Sequence, residues 1–220
     1  MELYRWNLEV AGGLHESLAL VEVVLRNAMD QQLQAWNASQ KPRTIGGSLV
    51  HYSTDWVQTP AAPLWGILNP KRRGVQHSTY KSAADRAAKD SNGRDPSHPR
   101  AGAAVCHDDV VAHITFGTWN NLLPHKRKQD GTIDPPAQRI IWDQALIHAF
   151  PYHADPLVVR YWVDRLHRLR NRVAHLEPLI STHVMSYHRT AARLLHAVDP
   201  DVASWYAGIS RVPGLLRRRP

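Results

Sequence analysis

The chain has 220 residues, 43% apolar and 21% charged, which is enough to build a core and too hydrophobic for a disordered chain. Twenty-seven Lys and Arg against 19 Asp and Glu leave a formal charge of +8, and the excess is mostly arginine (21 Arg, 6 Lys), whose planar fork suits phosphate groups and so a polyanionic partner. The lone Cys106 excludes an intrachain disulfide and a cysteine-based zinc knuckle, no apolar run nears the roughly 20 residues of a membrane span, and Met1-Glu2-Leu3-Tyr4-Arg5 lacks a signal-peptide layout, so a soluble cytoplasmic protein without membrane contact is expected.

The first helix is predicted from about Leu14 to Trp36, where Leu18, Val21, Leu25, Met29 and Leu33 recur at spacings of three and four. Gly12 and Gly13 are expected to break any earlier helix. Between Ala38 and Ala104 prolines at 42, 60, 63, 70, 96 and 99 prevent a long helix. Within 71–100 eight Lys or Arg face three Asp, making this the most basic stretch, read as loop with one short helix from Ser78, its N-cap, to Lys89. Further helices are expected over Asp108–Leu123, from Pro135-Pro136 to about His148, and from the cap pair Asp155-Pro156 to Pro178, with Val158, Trp162, Leu166, Leu169 and Val173 as a buried stripe. Ser181–Ala197, carrying Val184, Tyr187, Ala191 and Leu194, and a short helix from Asp199-Pro200 through Trp205 complete the set. With no period-two run and no repeat, the fold class is all-α: one domain over 1–220, with a basic Pro- and Gly-containing loop region over about 38–104.

The informative segment is Arg168-Leu169-Arg170-Asn171-Arg172-Val173-Ala174-His175-Leu176-Glu177-Pro178. An arginine, a polar residue and a histidine five positions on resembles the R-x4–6-H motif of HEPN domains, helical bundles that include metal-independent ribonucleases. The bare pattern carries no weight: chance gives about 21 × 3 × 14/220, roughly four matches, and six occur. What selects Arg170 and His175 is the end of an amphipathic helix, Asn171, and the following Glu177-Pro178. The residue types suit RNA cleavage by the adjacent 2′-hydroxyl. His175 has an intrinsic pKa suited to moving protons near neutrality, Arg170 supplies a cation for the phosphorane oxygens, and Asn171 stands one turn before His175 to orient it or bond the phosphate. On an ideal helix Arg170 is rotated about 140° from His175, so convergence on one phosphate needs a bent helix end or a second chain, which a symmetric dimer supplies.

The resemblance extends along the chain. Leu3-Tyr4-Arg5-Trp6-Asn7 followed by Glu22-Val23-Val24-Leu25-Arg26-Asn27 looks like the start of the Abi-like (abortive infection) branch of HEPN proteins. Phe116-Gly117-Thr118-Trp119 resembles its central FG-x-W helix, Arg170 through Pro178 its RNR-hydrophobic-AH-x-EP signature, and Ser210-Arg211-Val212 through Arg219-Pro220 its terminal segment. Two departures are visible: Leu176 stands where many members have a second histidine, and Asp30 where many have a histidine four residues after Arg26. The resemblance implies a HEPN-like helical bundle with additional helices, a homodimer that cleaves RNA without a cofactor, and toxin–antitoxin or phage-defence biology in a prokaryotic cytoplasm, with an antitoxin protein or RNA as restraint. Catalysis falls to Arg170, Asn171 and His175. Glu177 is a candidate for setting the histidine tautomer, Glu22, Arg26 and Asn27 are supporting residues, and Arg168, Arg172, Lys71, Arg72 and Arg73 are candidates for holding the RNA backbone.

Each of these has a blander reading. Arg170 and Asn171 serve equally as a polar helix end, Glu22 with Arg26 as an ion pair, Trp162 as core, the 71–100 segment as a solvated loop, and Arg217-Arg218-Arg219 as a solubilising end. A different class of function is a non-catalytic HEPN module that binds RNA or a partner protein. His107-Asp108 is the doublet of all-helical metal phosphohydrolases, but further ligands in helical register and an H-E-x-x-H motif are both missing, so no metal is assigned.

Overall fold

The computed structural model describes residues 1–126 and 133–220, and it is mostly helical. The helices are α1 (Glu2–Ala38), α2 (Leu64–Leu68), α3 (Thr79–Asn92), α4 (His107–Ala112), α5 (Phe116–Leu122), α6 (Pro136–Gln144), α7 (Pro156–Ala174), α8 (Val184–Val198), α9 (Pro200–Ile209) and α10 (Val212–Arg217), with a 3-10 turn over Leu146–Ala149. Among the described residues three short antiparallel strand pairs match β1 (Arg43–Ile45) with β2 (Ser48–Val50), β3 (Lys71–Arg72) with β4 (Val75–Gln76), and β5 (His125–Lys126) with β6 (Ile133–Asp134). The chain packs as two compact units, Met1–Ala28 with Ile147–Pro220, and Met29–Leu146.

In the first unit Val10, Leu14, Leu18, Val21 and Leu25 of α1 are buried, as are Val159, Val163, Leu166, Leu169 and Val173 of α7 and Leu194 and Leu195 of α8. The Trp6 indole N–H donates to the Leu215 carbonyl at 2.9 Å, and the Leu179 amide donates to Asn7 Oδ1 at 2.8 Å. In the second unit Trp56 and Trp119 meet edge to face at 5.7 Å within a core that includes Met29, Leu33, Leu64 and Trp142. Asn37, fully buried, donates to the carbonyls of Ser53 and Thr59 and accepts from the Ala61 amide, so one side chain closes the 53–61 loop against α1.

Several expectations are corrected. Helix α1 does not begin at Leu14 but runs through Gly12 and Gly13 for 37 residues. Tertiary packing overrides glycine's low propensity here, since a Cβ on Gly13 would stand 2.6 Å from Leu215 Cδ1, and glycine is what lets α10 approach. The helix expected over Asp108–Leu123 is two: Thr115 adopts an extended conformation and caps α5 by accepting from the Thr118 amide. On α7 the buried positions are Val159 and Val163 rather than Val158 and Trp162, which are only half-buried. The arginine tail is ordered, with Val212 and Leu215 buried and Arg219 over the Trp6 ring at 5.2 Å. Ser78 does cap α3, accepting from the Lys81 amide, and Asp155 and Asp199 cap α7 and α9.

The two adjacent glycines of α1 separate intrinsic propensity from packing. Gly12 has open space around its Cβ position, so Gly12→Ala should stabilise the protein by about 0.5–1 kcal/mol. Gly13→Ala should instead destabilise it by about 1–2 kcal/mol through overpacking against Leu215. Urea unfolding of both variants checks the opposite signs.

Candidate active site

The C-terminal end of α7 carries the residues singled out from the sequence. Asp155 starts the helix by accepting from the amides of Leu157 and Val158, and Pro156 at its first position has the φ a helix needs. The far end closes as a Schellman turn: the Leu176 amide donates to the Val173 carbonyl at 3.1 Å and the Glu177 amide to the Arg172 carbonyl at 3.0 Å. Leu176 occupies the left-handed position (φ +55°) where glycine is usual, with its side chain 76% exposed. The hydrophobic contact that commonly closes such a turn is replaced by an ion pair from Arg172 Nε to Glu177 Oε2 at 2.9 Å, and Arg172 Nη1 also donates to Thr182 Oγ1 at 3.0 Å. His175, the C-cap, is thus held on a pinned turn with its side chain exposed to solvent.

The helix does not bend before His175, whose amide still donates to the Asn171 carbonyl at 3.0 Å. Arg170 and His175 therefore keep the wide angular separation of an ideal helix and do not meet within one chain. Arg170, exposed, lies beside Glu22 of α1. Burial raises the Glu22 carboxyl above its ordinary pKa, and Arg170, then Arg26 and His15, oppose that rise. Arg26 directs its Nε to Asn27 Oδ1 at 3.5 Å. Asn171 Nδ2 stands 3.3 Å from His167 Nε2 rather than on His175, and Glu177 is bound to Arg172 rather than to the His175 ring. The His167 pKa is lowered, by burial first; the nearby cations Arg170, Arg160 and Arg168 add to this, and Asp164 opposes it.

What shares a helix face with His175 is a basic and aromatic row: Tyr161, Arg165, Arg168 and Arg172 recur at spacings of three and four up to position 175. Arg165 stacks over the Tyr187 ring at 4.4 Å, donates to Tyr161 Oη at 2.9 Å and bonds Ser186. Arg168 pairs with Asp164. Tyr161, Asp164, Arg165, Arg168 and Tyr187 line a groove of about 280 Å³. The spacing of this row was present in the sequence, but Tyr187 comes from α8 and only the fold places it there.

The other predicted phosphate contacts divide. Lys71 and Arg73 are exposed on the β3–β4 hairpin, whose two turn residues, Arg73 and Gly74, both have positive φ. The Arg72 side chain lies outside the described residues. Within the basic 71–100 segment two of the eight cations are internal pins: Arg94 and Arg100 both bind Asp109, at 2.9 and 2.7 Å. The Cys106 amide and these arginines hold the Asp109 carboxyl down to about 2.

Sequence reasoning missed a second polar cluster. His107 Nε2 lies 2.9 Å from Asp30 Oδ1 and His107 Nδ1 lies 3.0 Å from Asp55 Oδ1, while Asp30 also accepts from the Trp56 indole at 2.7 Å and from Gln34 at 2.6 Å. Burial opposes charge on the ring, but the two carboxylates outweigh it and lift the His107 pKa to about 10, with Asp30 and Asp55 correspondingly lowered. With both ring nitrogens committed to carboxylates, this imidazolium is a structural pin and not a free base. Among the described residues no group of three or more His, Cys, Asp or Glu is arranged to hold a metal ion.

Comparison with family models, with curated proteins and with solved structures finds no match to this chain.

Two outcomes follow from this geometry. A raised histidine pKa contributes stability that is complete below its unfolded value near 6.5 and is lost as pH rises through about 10, whereas the lowered Asp30 and Asp55 contribute stability that is lost on acidification below about 4. Thermal unfolding across pH should therefore show a maximum between about pH 4.5 and 6.5, and Asp30→Asn should lower stability there by about 3 kcal/mol and flatten the alkaline decline. At the turn, Leu176→Gly relieves a left-handed leucine and should leave stability unchanged or raise it by about 1 kcal/mol in a denaturant titration.

Proposed function

We propose that the protein is a metal-independent endoribonuclease of the HEPN type. The observation that carries the reading is His175, solvent-exposed on a pinned turn and sharing its helix face with Arg165, Arg168 and Arg172. Arginines along one face attract and align a polyanion, and a histidine at the end of that row stands where a backbone phosphate would pass. In the reaction His175 removes the proton of the 2′-hydroxyl as its oxygen attacks the adjacent phosphorus. The P–O5′ bond breaks, the leaving oxygen takes up a proton, and a 2′,3′-cyclic phosphate remains. Because Arg170 and His175 diverge within one chain, the cation on the phosphorane comes from Arg170 of a second copy in a symmetric dimer. Asn171 holds the His167 side of the helix end. Resemblance to the Abi-like proteins adds a role as toxin or abortive-infection effector, restrained by an antitoxin protein or RNA.

A second reading, a non-catalytic RNA-binding module, is favoured by the orientation of Asn171 toward His167 and of Arg170 toward Glu22. Wild type and His175→Ala incubated with bulk cellular RNA in EDTA separate the two. Cleavage by the wild type with cyclic phosphate ends, falling at least about 100-fold in the variant, supports the nuclease. Equal cleavage by both removes His175 from the reaction, and binding by both without cleavage selects the module.

A further inference from the structure

Every arginine of the α7 row is engaged in the free chain, but by two different kinds of partner. Arg165 is held by neutral groups: it lies over the Tyr187 ring at 4.4 Å, donates to Tyr161 Oη at 2.9 Å and bonds Ser186. Arg168 and Arg172 are held by carboxylates. Asp164, one turn earlier on α7, pairs with Arg168, and Glu177 pairs with Arg172 across the C-terminal turn, Oε2 standing 2.9 Å from Nε. Over about 10 Å of helix the three arginines are thus offset by two carboxylates, which leaves the row a net of one positive charge.

Glu177 is not needed to place Arg172. The guanidinium has a second, neutral partner, Nη1 donating to Thr182 Oγ1 at 3.0 Å, and the turn itself is closed by backbone bonds from the Leu176 and Glu177 amides. Arg165 shows in the same row that neutral partners suffice to hold a guanidinium on this face. Arg168 keeps 77% of its side chain exposed and Arg172 keeps 42%, so a ligand reaches both without displacing the helix. Exposed ion pairs of this kind are weak and exchange readily. An RNA strand supplies several phosphates at once, each able to take a guanidinium bidentately, so it outcompetes the carboxylates but has to displace them to do so.

We propose that Asp164 and Glu177 are built-in competitors of the RNA backbone: they occupy Arg168 and Arg172 in the free protein, leave them when a strand binds, and so limit how tightly the α7 row holds RNA. The inference rests on the RNA reading above and adds a restraint on that same site that lies within a single chain.

Binding is measured in full-length His175→Ala protein, which removes cleavage from the readout, with an oligoadenylate of about ten residues across a salt series. Asp164→Asn and Glu177→Gln keep the shape of each side chain and remove its charge. Asp201→Asn removes the same charge from the first turn of α9, outside the row. Thermal melting checks that each variant is folded, and the two row variants are read separately, so the loss of one leaves the other. Each should bind the strand about threefold more tightly, and the two together about tenfold. Salt dependence should steepen by up to about one phosphate contact per variant, because the arginine no longer exchanges one anion for another. Asp201→Asn should change affinity by less than about twofold, since salt screens a charge outside the contact. Unchanged or weaker binding in both row variants overturns the proposal and makes the carboxylates supports for the arginines. Equal tightening by Asp201→Asn also overturns it, since net charge then accounts for the effect. Binding that tightens in the row variants alone, with no cleavage by the wild type, sinks the nuclease reading and keeps the restraint. Wild-type cleavage with affinity unmoved by the row variants sinks the restraint alone, and no binding by any form sinks the restraint together with the RNA reading.

Discussion

One apolar stripe along α1 is the constraint on which the rest of the molecule depends. Val10, Leu14, Leu18, Val21, Leu25, Met29, Leu33 and Trp36 are all buried, at spacings of three and four, along a helix about 55 Å long. Positions up to Ala28 belong to one compact unit and positions from Met29 to the other. Each unit therefore builds its core on a different stretch of the same helix. The polar residues of that helix are committed in the same way, Asn7 to Leu179 in the first unit and Asp30 and Asn37 to the loops at Trp56 and Ala61 in the second. A helix of this length is uncommon without tertiary support, and here the support comes from long-range side-chain contacts rather than from local propensity.

In a chain with so few acids, where the carboxylates go decides what the arginines are free to do. Asp109 neutralises Arg94 and Arg100 together, Asp30 and Asp55 enclose one imidazolium, and Glu177 fixes Arg172 across the α7 turn. Loops that the prolines keep out of helix are thus closed by buried or half-buried charge, at sites where removing one partner would leave the other unpaired. The formal +8 counts histidine as neutral. With His107 held protonated the figure becomes +8 plus one, or +9. Two of the eight cations of the 71–100 segment are committed internally, and on α7 Arg168 and Arg172 are paired with Asp164 and Glu177, so along either stretch a polyanion competes with carboxylates already in place.

The α-helical class and most helix starts were legible because they rest on local chemistry. Ser78, Asp155 and Asp199 cap where their sequence context says they should, since a short side chain bonding the amides two or three residues on needs no tertiary information. The passage of α1 through Gly12-Gly13 was not legible, because glycine disfavours helix locally and the neighbour that Gly13 accommodates, Leu215, is two hundred residues away. On α7 Leu166, Leu169 and Val173 are buried as expected, and only the first two positions were placed one residue off, because Val158 and Val159, like Trp162 and Val163, are adjacent apolar pairs and periodicity does not separate such neighbours. The Asp30–His107–Asp55 cluster joins residues 77 and 52 positions apart, and no spacing rule reaches that far. Arg170, Asn171 and His175 were found by motif, and their mutual geometry follows from helix arithmetic alone.

That geometry also explains why a leucine is tolerated at the end of α7. A Schellman turn ordinarily takes glycine at the position held by Leu176, and commonly closes with an apolar contact between the residues held here by Arg172 and Glu177. This chain reverses both choices, with an exposed leucine in the left-handed conformation and an ion pair across the turn. The ion pair and the bond from Arg172 to Thr182 span the turn, and the leucine projects into solvent beside His175. An apolar side chain is thus held outward, at a cost in backbone strain, next to the candidate catalytic residue. Two features of the same eight residues, the angle between Arg170 and His175 and the left-handed Leu176, thus set what the dimer proposed above has to satisfy.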